Sequence, residues 1–243
     1  RYGMASAATH LAPVTLELGG KGANIVFEDA DIDNAIHWAV EAIFRNAGQI
    51  CLAGSRLFVH SSLYESFMER FVAAAEALTI GDPFDPATKF SSLASKRHFD
   101  KVASYVESAR ELGGTIRTGG VAEDGSWVVR PTIIDGLALD AAPYCEEIFG
   151  PVCVVNSFDT EEEVVHLAND TRYGLNAMLF TENLSRAHRV ASRLRAGTVW
   201  VNCFFIRDLR TPFGGVGDSG VGREGGNFSR EFFTEPKAVV MQI

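Results

Sequence analysis

The chain has 243 residues, 47% hydrophobic and 22% charged, an ordinary globular composition with room for one large domain or two small ones. Its net charge of −9, with no basic stripe, argues against a nucleic-acid partner, and no apolar run reaches the roughly 18 residues of a membrane-spanning helix. No basic and apolar leader opens the sequence, so the cytoplasm is the expected location.

In chain order, Tyr2 to Leu11 reads as an alanine-rich helix with no capping residue before it. A helix without a cap suggests a true start further upstream, so the chain is expected to be part of something longer. Ala23 to Phe27 is a strand candidate. Ile32, Ala35, Ile36, Ala39, Val40, Ile43 and Phe44 then repeat at three and four, the buried face of a helix with Asp31 at its N-cap. Asn46-Ala47-Gly48 is the expected stop. A strand at Leu57 to His60 precedes a helix marked by Leu63, Phe67, Phe71 and Leu78. Another helix, marked by Phe99, Val102, Val106, Ala109 and Leu112, stops at Gly113-Gly114.

Strands at Val152 to Asn156, Ala177 to Phe180 and Thr198 to Asn202 alternate with helices at Glu161 to Asn169 and Leu184 to Arg195. Such alternation predicts an α/β fold, a mostly parallel sheet with flanking helices. Glycine and turn residues from Arg207 to Asn227 predict a long loop, and the tail from Phe232 to Ile243 returns to β character. No internal repeat or low-complexity linker interrupts the chain.

Cys51, Cys145, Cys153 and Cys203 lie far apart and are expected as reduced thiols. The six histidines are scattered, so no metal site is expected. Three Asn-x-Ser/Thr runs, at Asn169, Asn183 and Asn227, are read as accidental.

Two runs carry chemistry. Glu17 ends an apolar run and is followed by Leu18-Gly19-Gly20-Lys21; Cys51 follows Gly48-Gln49-Ile50. A carboxylate in a partly dry cleft has its pKa pushed up, where it can serve as a base, and adjacent glycines let other backbone or a ligand approach. A thiol presented beside a turn can serve as a nucleophile. The plainer alternatives are a capping or ion-paired Glu17 and a buried structural Cys51. Glu146-Glu147-Ile148-Phe149-Gly150-Pro151 and Pro212-Phe213-Gly214-Gly215 follow downstream.

In order and spacing these four runs resemble the signatures of the NAD(P)-dependent aldehyde dehydrogenases, in their carboxyl-terminal half. The resemblance implies a remnant of a cofactor-binding domain at 1–13, a catalytic domain at 14–227 and an oligomerisation tail at 228–243 ending in a strand. It implies Cys51 as the nucleophile that forms a thiohemiacetal and then a thioester with an aldehyde. Glu17 is then the base for hydrolysis to the acid, and the Cys51 amide a donor to the oxyanion.

The same resemblance assigns Glu147 and Phe149 to the nicotinamide side of NAD or NADP. No G-x-G-x-x-G run is present, and the family's remaining cofactor contacts, with a second oxyanion donor, lie upstream of Arg1. The isolated chain is therefore expected not to turn over aldehyde. Phe213 is implied in substrate binding, Glu224 in proton transfer or loop order, and Arg223 with Glu235 in an ion pair at a subunit interface of a homo-oligomer. Pro236, where the family has valine or leucine, removes a donor from the tail strand.

Trp200-Val201-Asn202-Cys203, followed by Arg207-Asp208-Leu209-Arg210, resembles the muconic semialdehyde dehydrogenases of aromatic-ring degradation. Guanidinium suits bidentate carboxylate binding, so Arg207 and Arg210 are candidates to hold an acid-bearing aldehyde. The alternative is that both are solvated or paired with Asp208. An NAD-independent thiol esterase and a non-catalytic assembly piece are the rival functions.

Overall fold

The computed structural model describes residues 1–122 and 125–243. In chain order the elements are α1 (Tyr2–Ala8), β1 (Leu16–Glu17), β2 (Ala23–Val26), α2 (Ile32–Phe44), β3 (Arg56–His60), α3 (Tyr64–Glu76), α4 (Lys96–Glu111), β4 (Thr115–Val121) and β5 (Val129–Asp135). They continue with α5 (Ala142–Cys145), β6 (Val152–Phe158), α6 (Glu161–Asn169), β7 (Asn176–Phe180), α7 (Leu184–Arg193), β8 (Thr198–Val201), β9 (Gly220–Val221) and α8 (Gly226–Phe233). Among the described residues no helix is long and apolar enough to cross a membrane.

Seven strands form one sheet in the order β4-β5-β6-β3-β2-β7-β8. Every neighbouring pair is parallel except β4 with β5. A parallel sheet is covered on both faces, so its central strands read as continuous apolar runs. All residues of β2 and of β7 are buried.

Asp31 caps α2 as its position predicts, its side chain accepting the Asn34 N–H, and the face from Ala35 to Phe44 is buried. Fully buried Phe27, Phe44, Phe58, Phe67, Phe71, Phe158 and Phe180 fill the space between helices and sheet. Each contributes about 1.5–3 kcal/mol relative to exposure. Phe27 meets Phe158 edge-on at 5.4 Å.

The structure corrects the sequence reading at several points. The first helix ends at Ala8 rather than Leu11. The edge hairpin of β4 and β5 carries no apolar alternation. β4 holds Gly119 and Gly120, with register shifts around Thr118, and β5 contains Pro131. The segment 207–227 is not wholly loop, since Gly220–Val221 pairs antiparallel with Leu16–Glu17. Beyond α8 the tail forms no strand, and Val239, Val240 and Met241 stand exposed. A strand needs a ladder partner for its backbone groups, and among the described residues the tail has none.

Candidate active site

Glu17 is placed by a two-stranded clasp. Leu16 faces Val221 and Glu17 faces Gly220, and the Leu18 N–H bonds the Ser219 carbonyl at 3.0 Å. Gly220 has φ +144°, and a Cβ there would lie 2.0 Å from the Leu16 carbonyl oxygen, so only glycine allows the approach. Below Glu17 runs the fourth sequence run. Phe213 and Glu224 pair through both backbone bonds, and a Cβ on the intervening Gly214 would stand 2.8 Å from Glu17 Oε1.

Both Glu17 carboxylate oxygens are sealed from solvent and carry no hydrogen bond. Its pKa is raised, first by burial and then by the Glu224 carboxylate, with the Arg223 guanidinium pulling the other way. Among the described residues Glu17 thus neither caps an element nor pairs with a cation.

Cys51 is presented by a strained turn. Asn46, Ala47 and Gly48 all have positive φ, 53°, 54° and 68°, in the left-handed region. The turn is held from outside, as the Gln49 side chain accepts the Ala94 N–H and the Asn176 amide donates to the Leu52 carbonyl, each at 3.0 Å. A Cβ on Gly48 would lie 2.1 Å from the Gly150 carbonyl, so the third run packs directly on this turn. The first run packs there too, since a Cβ on Gly20 would lie 2.7 Å from the Cys51 carbonyl.

The Cys51 thiol is half-buried and free. Burial raises its pKa, followed by Glu147, and Glu17 adds to the rise, while the backbone amides of Cys51 and Leu52 lower it. At rest it is a neutral thiol.

Glu147 lies over the glycine pair. Its Oε1 accepts the Gly20 N–H at 3.1 Å, and its Oε2 would be 2.0 Å from a Cβ on Gly19. Phe149 has φ +59° and is 37% exposed, with its ring edge-on to that of His98 at 5.8 Å. Sequence reasoning missed the helix face that holds this segment. From α4, His98 Nε2 donates to the Phe149 carbonyl at 2.6 Å in the matching tautomer, and Lys101 donates to the Glu147 carbonyl at 3.0 Å. The Tyr105 hydroxyl donates to the Glu146 carboxylate at 2.5 Å. Three polar side chains at spacings of three and four on one helix face were the available signal.

An open cleft of roughly 650 Å³ lies beside β8, lined by Trp200, Arg207, Phe213, Glu224 and Ser229 among others. The Arg207 guanidinium lies over the rings of Phe205 and Phe213, at 5.4 and 5.2 Å, with no ion pair among the described residues. Arg210 differs: it is largely exposed and its guanidinium pairs with Asp208, so the alternative reading applies to Arg210. Arg223 donates to the Gly215 and Gly222 carbonyls at 2.9 and 2.7 Å. The expected ion pair with Glu235 is absent among the described residues, because Glu235 sits on the exposed, unpaired tail.

The model of the aldehyde dehydrogenase family matches residues 2–239. The 2-hydroxymuconic semialdehyde dehydrogenase of Pseudomonas sp. (strain CF600) is 50% identical over 99% of this chain and 51% of its own length. The human 2-aminomuconic semialdehyde dehydrogenase is 44% identical over 97% of this chain and 50% of its own. The structure of a Bacillus cereus aldehyde dehydrogenase in complex with NAD+ superposes with a TM-score of 0.93 at 41% identity, covering 96% of this chain and 48% of that one. Staphylococcus aureus betaine aldehyde dehydrogenase with NAD+ gives 0.91 at 37% identity, covering 94% and 46%. The chain thus spans about half the length of the relatives it matches.

Proposed function

Because the chain belongs to the aldehyde dehydrogenase family, we propose that it carries the thiol, the base and the nicotinamide-side contacts for oxidising a carboxylate-bearing semialdehyde to its acid with NAD or NADP. The observation that carries this reading is the convergence on Gly19 and Gly20. The Cys51 backbone and the Glu147 carboxylate both close on this glycine pair, two residues after the partnerless carboxylate of Glu17.

Fit to the nicotinamide end of the cofactor is supported by Glu147, whose Oε2 is free to accept ribose hydroxyls, and by the half-exposed Phe149 ring. When bound, the cofactor accepts the hydride. Cys51 gives its proton to solvent and its sulfur adds to the aldehyde carbon, while the oxygen becomes an oxyanion held by the Cys51 amide. Loss of hydride from that carbon leaves a thioester on Cys51. Glu17 then removes a proton from water, the hydroxide adds, and the C–S bond breaks to release the acid and the thiolate.

Arg207, spread over two aromatic rings and without a carboxylate partner among the described residues, is suited to the distant carboxylate of the substrate. Phe213 forms the wall beneath it, and Glu224 raises the basicity of Glu17. The exposed apolar residues Phe228 and Phe233 of α8 and Val240 of the tail support homo-oligomer formation.

The test is a fusion of this chain behind the amino-terminal half of the Pseudomonas relative, assayed with 2-hydroxymuconic semialdehyde and NAD. Formation of NADH, abolished in Cys51→Ala, is expected. A fusion that binds NAD yet oxidises no semialdehyde would overturn the reading. The unfused chain is expected to give no turnover.

A further inference from the structure

The chemistry above gives Lys21 no task, yet its setting is costly for a lysine. The side chain is 2% exposed and makes no ion pair among the described residues. Lysine is almost never buried in this way unless paired. Its Nζ donates to the Pro143 carbonyl at 2.8 Å. The Lys21 carbonyl accepts the Nε–H of Arg56 at 3.0 Å, and Arg56 is itself 1% exposed. The other Arg56 donors go to the carbonyls of Leu167 and Ala168, at 3.0 and 2.8 Å.

Two buried basic groups thus have no carboxylate partner among the described residues: Lys21 meets a carbonyl, and Arg56 meets carbonyls and the rings of Phe58 and Tyr144, each at 5.6 Å. Burial, then Arg56, pushes the Lys21 pKa down to about 7 against the opposing pull of Cys153, Cys145 and Glu147. An apolar residue of similar volume would avoid this penalty.

What the penalty secures is a connection. Pro143 belongs to α5, which ends at Cys145, immediately before Glu146 and Glu147. Gly20, the neighbour of Lys21, donates its N–H to Glu147 Oε1. Two consecutive residues thus grip the segment 143–147 at both ends, one by a backbone carbonyl and one by a carboxylate. We propose that Lys21 is a positioning residue that sets the Glu147 carboxylate against Gly19 and Gly20, and through it the charge felt by the Cys51 thiol. The consequence for turnover rests on the function proposed above. The coupling itself does not, and can be read without cofactor or aldehyde.

The experiment follows alkylation of Cys51 by iodoacetamide in the 243-residue chain, by mass spectrometry of its peptide, so that the other three thiols do not interfere. After burial, Glu147 is the largest influence holding that thiol up, and Lys21 is not among the leading ones. Lys21→Met should free Glu147 and raise the rate at neutral pH about threefold, as a fall of about half a pKa unit would. Glu147→Gln should do the same, and the double variant no more than either, because both act through one contact.

An unchanged rate in folded Lys21→Met, or a double variant whose effects multiply, would overturn the proposal. A lysine serving only the core would lower the melting temperature and leave the rate alone. Should Lys21→Met fail to fold, the unaltered chain carries the test. The Gly20 amide resonance should follow the titration of the Lys21 side chain, which Arg56, Cys145, Cys153 and Glu147 face. A Gly20 amide indifferent to that titration would also overturn it.

Discussion

Phe213 and Glu224 exchange both backbone hydrogen bonds, at 2.8 and 2.7 Å, and so hold Gly214 against the buried carboxylate of Glu17. The Glu224 carboxylate then raises the Glu17 pKa by proximity, after burial. One backbone bridge thus closes the floor of the site and sets the charge beside its base.

Glu17→Gln should make acetylation of Cys51 by an activated ester no slower, since it removes a charge that holds the thiol up, and slow its hydrolysis about 100-fold or more, the usual worth of a general base. In the unaltered chain hydrolysis should fall as pH drops through the raised Glu17 pKa, above the ordinary 4.5. The stability effect has the opposite sign. The folded state holds a proton that the unfolded state has lost, so this group's contribution declines as pH rises through the raised value. Hydrolysis of acetyl-Cys51 at an unaltered rate in Glu17→Gln would refute the base assignment.

Lys21 gives a second pH signature. Its folded pKa of about 7 lies below the ordinary 10.5, so between these values the unfolded chain binds the extra proton. Stability from this group should rise with pH across that window, by at most about 1.4 kcal/mol per unit, and be lost as pH falls through about 7. Urea unfolding of the unaltered chain and of Lys21→Met at two pH values inside the window measures it. Parallel pH dependence in the two chains would contradict the burial of a titrating lysine.

Gly48→Ala places a Cβ 2.1 Å from the Gly150 carbonyl at φ +68°. The backbone strain alone is of order 1–3 kcal/mol, and the clash displaces the turn that presents Cys51. Denaturant unfolding should show at least that loss, with slower acetylation of Cys51. A variant of unaltered stability would mean that the turn and the third run do not pack as described.

In the active fusion, Arg207→Ala should raise the KM for a carboxylate-bearing semialdehyde about 10- to 100-fold, the worth of a charged hydrogen bond of ~1.5–3 kcal/mol, and hardly alter that for an uncharged aldehyde. Arg210→Ala should change either by less than about threefold, since Arg210 is an exposed partner of Asp208. Equal losses for both aldehydes in Arg207→Ala would refute a carboxylate contact.

The sequence by itself determined the alternation of strands and helices, because parallel strands buried on both faces must be continuous apolar runs and their covering helices must repeat at three and four. It also marked Glu17 and Cys51 by the glycine-bearing turns beside them, whereas Glu147 was implied only by the resemblance of its run. Edge elements were less legible. β4 and β5 carry glycines, a proline and two arginines, and they persist as strands because β6 offers β5 a template and β5 in turn offers one to β4.

Only the tertiary structure decided that Lys21 is buried, that α4 holds the Glu146–Phe149 segment by three side chains, and that Arg210 is spent on Asp208 while Arg207 is not. It also decided that the tail, β-like in sequence, forms no strand within this chain. These outcomes depend on which backbone carbonyl, ring or carboxylate a distant segment brings within hydrogen-bond reach. A local pattern records the shape of its own element, and carries no term for a partner more than a hundred residues away, as Gly20 is from Glu147.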